Sequence, residues 1–460
     1  MSTASENKET FIFESAPIHK AIATLAIPAI ISQLVTMIYN LADTWYVGQL
    51  GDTRQMAAVT VAYPLFHGLT AIANMFGIGG GSLISGALGQ KDYTQVKKIS
   101  SFCFWSSIGL TAVAAMVVLF GGSPLLTLLG AGADTLPYVR DYILWTFIIG
   151  GIPTVLNMCL AHLVRATGAS KQAGIGMAMG GILNIILDPL FIFSWGFGFG
   201  VKGAAIATCI SNFIATCYFM VFIWRRRKEN VISIHPKNYL CGKSTVGRVF
   251  FIGAPSALLV FLTVISNGVL NSLMSAYTST AMAALGAVKK IDMVPTAVVQ
   301  GLATGILPLL AYNYGSGNRK RMKATLKYSL VICVAFTSVC LVILEVFAPS
   351  LVRFFINVPE TVGLGASFMR LHCIAMPFIS LTLVLMAFFQ ATGQGGKALV
   401  LSLIRKGIID VPLMFLMNAL IPMVGLMTVQ PMLDFLSAVI AVLMYLHFMK
   451  GIKAENRGQA

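Results

Sequence analysis

The chain has 460 residues, 57% of them hydrophobic and only 10% charged, with a formal net charge of +16 and a mean hydropathy of +0.83. Soluble domains carry about 25% charged residues, so water is excluded as the solvent for most of this surface. The basic excess does not signal nucleic acid, because lysines and arginines are spread over loops between apolar runs and form no single aromatic-laced patch.

Residues 1–17 are polar, with Glu6, Lys8, Glu9 and Glu14. They lack the basic, apolar and small-residue order of a cleavable signal and are expected to form a cytoplasmic tail. From residue 18 onward, apolar windows of about 20 residues recur, each long enough to cross roughly 30 Å of hydrocarbon as a helix. Helices are expected because a lone strand leaves backbone groups unpaired in lipid. The predicted spans cover 18–47, 57–80, 99–121, 136–160, 171–194, 201–224, 247–275, 282–311, 325–347, 367–390, 398–420 and 424–449. Six precede the hydrophilic break that opens as Trp224-Arg-Arg-Arg-Lys-Glu-Asn230, and six follow it. The expected division is a tail 1–17, an N-lobe 18–224, a cytoplasmic linker 225–246, a C-lobe 247–449 and a cytoplasmic tail 450–460.

The two halves echo one another. Arg165-Ala-Thr-Gly168 returns as Gln390-Ala-Thr-Gly393, Met56-Ala-Ala-Val59 as Met282-Ala-Ala-Leu285, and the Gly89–Asp92 loop as Gly315–Asn318. Duplication in so apolar a chain is a transporter signature. An even number of spans per half makes both halves enter from the same side, related by an axis along the membrane normal. The fold class is therefore an all-α membrane protein of twelve transmembrane helices in two pseudo-symmetric six-helix lobes. The cleft between the lobes is the natural substrate site. Lys91, Lys97, Lys98, Arg165, Lys171, Arg225–Lys228, Arg319–Arg321 and Lys397 fall on one set of loops, with Lys8, Lys20, Lys450, Lys453 and Arg457 of the chain ends. By the positive-inside bias that side is the cytoplasm, which makes this a multi-pass cell-membrane protein with both termini cytoplasmic.

Cysteines and histidines are scattered, with no CxxC or HExxH, so no metal site, disulfide or cofactor is expected. Chemistry is left to ionisable groups inside spans, each of which costs several kcal/mol in lipid unless paired, hydrated or neutralised. Asp43 closes Tyr39-Asn-Leu-Ala-Asp43, and Asp188 stands in Asn184-Ile-Ile-Leu-Asp188-Pro189. Each has a hydrogen-bonding residue four positions earlier, on the same helical face. Pro189 and Pro28 are expected to bend their helices and free a carbonyl one turn back. A buried carboxyl there binds and releases a proton near neutrality, or a monovalent cation sits between the two. In the second half Leu270 occupies the position matching Asp43. Its buried charges are Lys289, Lys290 and Asp292 in the eighth span and Arg405, Lys406 and Asp410 in the eleventh. Lys289–Asp292 and Lys406–Asp410 are spaced to neutralise each other along a helix, while Asp292, Lys289 and Lys290 are the candidates to face the cleft. The Gly77–Ser82 glycine run reads as close helix packing rather than a phosphate loop.

Pro28 with Asn40-Leu-Ala-Asp-Thr-Trp-Tyr-Val-Gly48, the Arg165-Ala-Thr-Gly168 loop, the Asn184–Pro189 helix and Gln390-Ala-Thr-Gly-Gln394 together resemble the multidrug and toxic compound extrusion (MATE) family. In these motifs the chain is nearest to the MepA-like branch of Gram-positive bacteria. The resemblance covers about residues 15 to 450 and implies a V-shaped pair of lobes working by alternating access. It implies efflux of amphipathic, mostly cationic drugs in exchange for a coupling ion. The family's N-lobe cation site maps onto Asp43 and Asp188, with Asn184, Tyr39, Asn157 and Thr208 as neighbours. Lack of an acidic residue in the seventh span favours H+ over Na+. A lipid bilayer and small organic molecules are the implied partners, and the chain is expected to act as a monomer. The alternatives are sodium-coupled efflux and a lipid-linked saccharide flippase that uses Lys289, Lys290, Arg405 and Lys406. A membrane-embedded enzyme is disfavoured because no nucleophile–base pair is visible.

Overall fold

The computed structural model describes residues 11–227 and 231–458, with the side chains beyond residue 451 left out. The N-lobe consists of α1 (Ile18–Gly48), α2 (Thr53–Gly89), α3 (Tyr93–Leu128), α4 (Leu136–Ile149), α5 (Gly151–Ala166), α6 (Ser170–Ile192) and α7 (Val201–Arg225). The C-lobe repeats the order with α8 (Lys243–Ser275), α9 (Ser279–Gly315), α10 (Arg319–Phe355), α11 (Pro359–Cys373), α12 (Met376–Ala391), α13 (Gly395–Lys406), α14 (Asp410–Leu420) and α15 (Val424–Gly458). Among the described residues, nine helices are singly long and apolar enough to cross a bilayer. Three further spans are built from two helices each, which completes twelve spans in two lobes.

These three broken spans depart from the expected unbroken helices, and proline explains each. The fourth bends by 47° between α4 and α5, and the tenth by 42° between α11 and α12. The eleventh is interrupted over residues 407–409, where Gly407 takes φ −116°, ψ −108°. Pro153, Pro377 and Pro412 stand in the first turn of the second piece in each case. A proline costs no hydrogen bond there, yet it cannot extend the helix before it. Pro28 and Pro189, expected to kink their spans, lie inside helices that continue on both sides of them.

Small residues let the lobes approach. α1 is wedged between them: a methyl group on Gly174 of α6 would lie 2.8 Å from the Pro28 carbonyl oxygen, and one on Gly305 of α9 would lie 2.9 Å from that of Leu25. A methyl on Gly79 of α2 would strike the Val249 carbonyl of α8, and one on Gly253 of α8 would strike the Met75 carbonyl of α2. Gly89 and Gly315 are likewise pressed on the Tyr312 and Gly86 carbonyls across the α2–α9 contact. Ser82 Oγ donates to the Gln390 carbonyl oxygen at 2.7 Å. These contacts lie in the half of the molecule that carries the basic loops. The glycine run of α2 is thus a packing surface, as its composition suggested.

Residues 11–17, expected as part of a polar tail, are docked. Phe13 is 2% exposed and stacks on Tyr312 of α9 at 4.6 Å, whose hydroxyl donates to Glu14 Oε1 at 2.7 Å. The Arg321 guanidinium donates to the carbonyl oxygens of Phe13, Ala16 and Ile12 at 2.6, 2.6 and 3.1 Å. Phe11–Glu14 forms a helical turn, and this fixed charge satisfies its open carbonyl end. Beyond residue 230, the connection between the lobes lies along α3: Ser100 and Ser101 donate to the Ser233 and His235 carbonyls, and the Trp105 indole donates to that of Ile234. Glu6, Lys8, Glu9 and Lys228, and the side chains of Lys453 and Arg457, lie outside the described residues.

Candidate functional site

The N-lobe polar cluster is assembled from α1, α5, α6 and α7. On α6, Asn184 and Asp188 are one turn apart, and the Asn184 amide donates to Asp188 Oδ1 at 3.1 Å and to Thr208 Oγ1 of α7 at 3.2 Å. Asn157 of α5 donates to Asn212 Oδ1 at 2.9 Å, and Asn212 donates to the Thr208 carbonyl at 2.9 Å. Gly180 and Gly181 make this convergence possible. A methyl at Gly181 would press on Val35 and Tyr39 of α1, and one at Gly180 on Ala215 and Asn157. A small cavity opens beside the cluster, lined by Thr36, Tyr39, Phe66, Thr154, Asn157, Asn184, Thr208 and Asn212 among others, with Met158 and Met177 as soft walls.

Asp188 is fully buried and Asp43, on α1, is half-buried with Oδ1 enclosed. Asp43 and Asp188 lie within electrostatic reach of one another across the α1–α6 contact, with Tyr39 and Tyr142 close to both. Among the described residues, neither carboxylate has a lysine or arginine partner. Asp43 Oδ1, Asp188 Oδ2, Asn184 Oδ1 and Asn157 Oδ1 are buried acceptors that receive no hydrogen bond. Buried polar atoms are nearly always paired, so four orphaned oxygens in one cluster suit a proton or a small cation. Tyr39, Asn157, Asn184 and Thr208 line the cavity; the carboxylates sit just behind it. Asn212 and Tyr142 belong to the same cluster and were not singled out from the sequence. For Asn212 a signal existed, since it follows Thr208 by one helical turn.

The C-lobe charges form a second cluster whose pairing differs from the expected one. Lys289 does not pair with Asp292 along α9. Its ammonium reaches Asn271 Oδ1 of α8 at 2.9 Å, while Asp292 meets His372 Nε2 of α11 at 3.5 Å. Side chains three apart on a helix diverge enough for each to find a nearer partner on the next helix. Asp292 lies beside Leu344, Met369, His372 and Cys373, inside the lobe. Lys290 is exposed. Lys406 and Asp410 do pair, at 3.9 Å, across the break in the eleventh span. Arg405 Nε donates to Asp434 Oδ1 of α15 at 2.7 Å, a buried ion pair invisible to local spacing because its members lie 29 residues apart.

Twelve apolar spans in two repeated lobes, with lone carboxylates behind a polar cavity, define a multi-pass membrane protein of the transporter type. A family model described as MatE matches residues 28–190 and 255–416, one segment in each lobe, and the chain belongs to this family. The multidrug export protein MepA of Staphylococcus saprophyticus is 30% identical over 421 residues, 92% of both chains. The MepA protein of Staphylococcus haemolyticus is 32% identical over 420 residues, 91% of both. Among solved structures, a MATE protein in complex with MaL6 superposes with a TM-score of 0.90 at 23% identity, covering 97% of this chain and 99% of the other. A MOP-superfamily transporter from Pyrococcus furiosus, described as having a binding pocket of reverse polarity, gives 0.86 at 23% identity, covering 97% and 99%. These structural likenesses establish the fold.

Proposed function

We propose that the protein is a multidrug efflux antiporter of the cell membrane that exports amphipathic, mostly cationic organic compounds in exchange for protons. The observation that carries this reading is the pair of carboxylates, half-buried Asp43 and buried Asp188, with orphaned oxygens and no lysine or arginine partner among the described residues, behind a cavity lined by tyrosine, phenylalanine, methionine and neutral polar groups. An ionised carboxylate out of water costs several kcal/mol unless compensated, so proton uptake and a cationic substrate are competing ways to neutralise the same charge. Competition of that kind is antiport: each ligand lowers the affinity of the other by the same factor. In the cycle, Asp188 with Asp43 is protonated from outside, the α1–α6 contact rearranges, and the drug leaves. Release of the proton to the cytoplasm resets the lobes.

Sodium in place of the proton is the second reading, favoured by the four unpaired oxygens, which are hard ligands. Flipping of a lipid pyrophosphate is weakened, because Arg405, Lys406 and Lys289 are each engaged within the C-lobe. The test is ethidium transport by the purified protein in liposomes, driven separately by a pH gradient and by a sodium gradient. Transport driven by pH and abolished in Asp188→Asn supports the proposal. Transport driven by sodium alone moves coupling to the second reading, and wild-type-like transport by Asp188→Asn refutes the site.

A further inference from the structure

The C-lobe contains the N-lobe cluster a second time. Lys406, Asp410, Gln430 and Asp434 each stand 222 residues after Asn184, Asp188, Thr208 and Asn212. Their contacts repeat as well. Asn184 touches Asp188 and Thr208; Lys406 touches Asp410 and Gln430. The second pair also touches in both lobes, with the donor reversed: Asn212 donates to the Thr208 backbone carbonyl, and the Gln430 amide donates to Asp434 Oδ2. Lys406 Nζ also reaches Ser266 Oγ of α8 at 3.5 Å, on the helix that repeats α1.

The two copies differ in charge, because Asn212 is matched by Asp434 and Asn184 by Lys406. Where the first has the neutral amide of Asn184, the second has an ammonium. Asp410 is fully buried, and neither of its oxygens accepts a hydrogen bond; its compensation is the Lys406 charge at 3.9 Å. Asp434 is neutralised by Arg405, Asp292 meets His372, and Lys289 is held by Asn271. The C-lobe thus pairs Asp410 and Asp434 with basic groups of its own, whereas among the described residues the two N-lobe carboxylates have no lysine or arginine partner. The break before Asp410 leaves the carbonyl end of α13 at Lys406, in the same cluster, and that is the end of a discontinuous membrane helix that favours a cation.

We propose that Lys406, Asp410, Gln430 and Ser266 form a monovalent-cation site of the same design as the N-lobe one, filled by the chain's own ammonium, so that only the N-lobe exchanges its cation during transport. Lys406 is a tethered counter-ion, and the site it fills binds sodium or a small alkylammonium once the amine is removed. The inference rests on reading the N-lobe cluster as the coupling site, and its test is built so that the two fail separately.

Thermal unfolding of the purified full chain in detergent is followed with sodium chloride or methylammonium chloride against choline chloride at equal ionic strength. Asp188→Asn is the background, prepared together with Asp43→Asn in every variant below so that the N-lobe cluster keeps neither carboxylate. This background alone is expected to show no cation-dependent shift; a shift there refutes the N-lobe reading and leaves the C-lobe comparison intact. The background with Lys406→Asn is expected to gain an upward shift in midpoint with sodium or methylammonium, lost again when Asp410→Asn is added. Should Lys406→Asn fail to fold, Lys406→Ala serves with n-propylammonium, which restores the deleted ammonium and its stem. A folded Lys406 variant with no cation-dependent shift, or a shift that survives Asp410→Asn, overturns the proposal.

Discussion

Gly253→Ala tests whether the tight approach of α2 and α8 sets the balance between lobe arrangements. The added methyl would strike the Met75 carbonyl oxygen and come within 2.9 Å of Met75 Cα. Because the obstacle is backbone, no rotamer change relieves it and the helices must part. Overpacking of this kind costs about 1–3 kcal/mol. The penalty falls only on the arrangement in which the lobes meet at the basic-loop end. A cost of about 2 kcal/mol there moves the equilibrium roughly 30-fold toward arrangements in which they separate. Spin labels at Thr94 and Lys320, both exposed at this end, report the separation by pulsed electron resonance in a background with Cys217, Cys241 and Cys340 replaced by serine. The control is Gly247→Ala, less than two turns away on the same helix, where a methyl meets nothing within 4 Å. The variant is expected to gain a longer-distance population that the control lacks. Identical distance distributions in Gly253→Ala, Gly247→Ala and the parent would refute the idea that this contact sets the balance.

Other consequences are equally measurable. Arg405→Met strands Asp434, and because Gln430 still donates to it at 2.7 Å, the loss should fall near the lower end of the range for a broken buried pair, about 3 kcal/mol. Arg405→Met/Asp434→Asn should recover most of that in detergent unfolding, and a double variant no more stable than the single one contradicts the pairing. Arg321→Ala removes three donors from the 11–17 segment; a loss of about 2 kcal/mol accelerates amide exchange at Ser15 and Ala16, which donate to the Phe11 carbonyl, by roughly 30-fold. Unchanged exchange there removes Arg321 as the anchor. Burial pushes the Cys241 thiol up, with Lys98 pulling the other way. Since the thiolate is the reactive form, maleimide labelling of Cys241 at about pH 8 should lag that of a free thiol and quicken as pH rises, and Lys98→Gln should slow it further. Labelling that does not depend on Lys98 argues against that electrostatic contact.

The architecture was legible because each span had to be apolar over its whole length, a requirement that composition alone records. Interruptions were harder, since Pro28 and Pro153 look alike in sequence. What separates them is where the helix chooses to restart: Gly150 and Gly407 stand just before the restarts in the fourth and eleventh spans. At the candidate site, Asn184 and Asp188 could be read together from one helical turn. Asn157 and Thr208 entered through family resemblance alone, and Asn212 and Tyr142 emerged only when α4, α5 and α7 were brought together. The Lys289–Asp292 expectation failed for the same reason that Arg405–Asp434 escaped notice. Local spacing names a possible partner, whereas packing against α8, α11 and α15 supplies a better one.

The docking of Phe13 on Tyr312 joins groups 299 residues apart in the sequence. At a synthesis rate of roughly 5–20 residues per second, the first aromatic ring waits about 15–60 s before its partner, and then Arg321, leaves the ribosome. The N-lobe must therefore insert with its leading segment unfastened, and the fastening marks completion of the second repeat. A chain that stops after the first half lacks both Tyr312 and Arg321, the groups that cover and hold Phe13 in the finished protein.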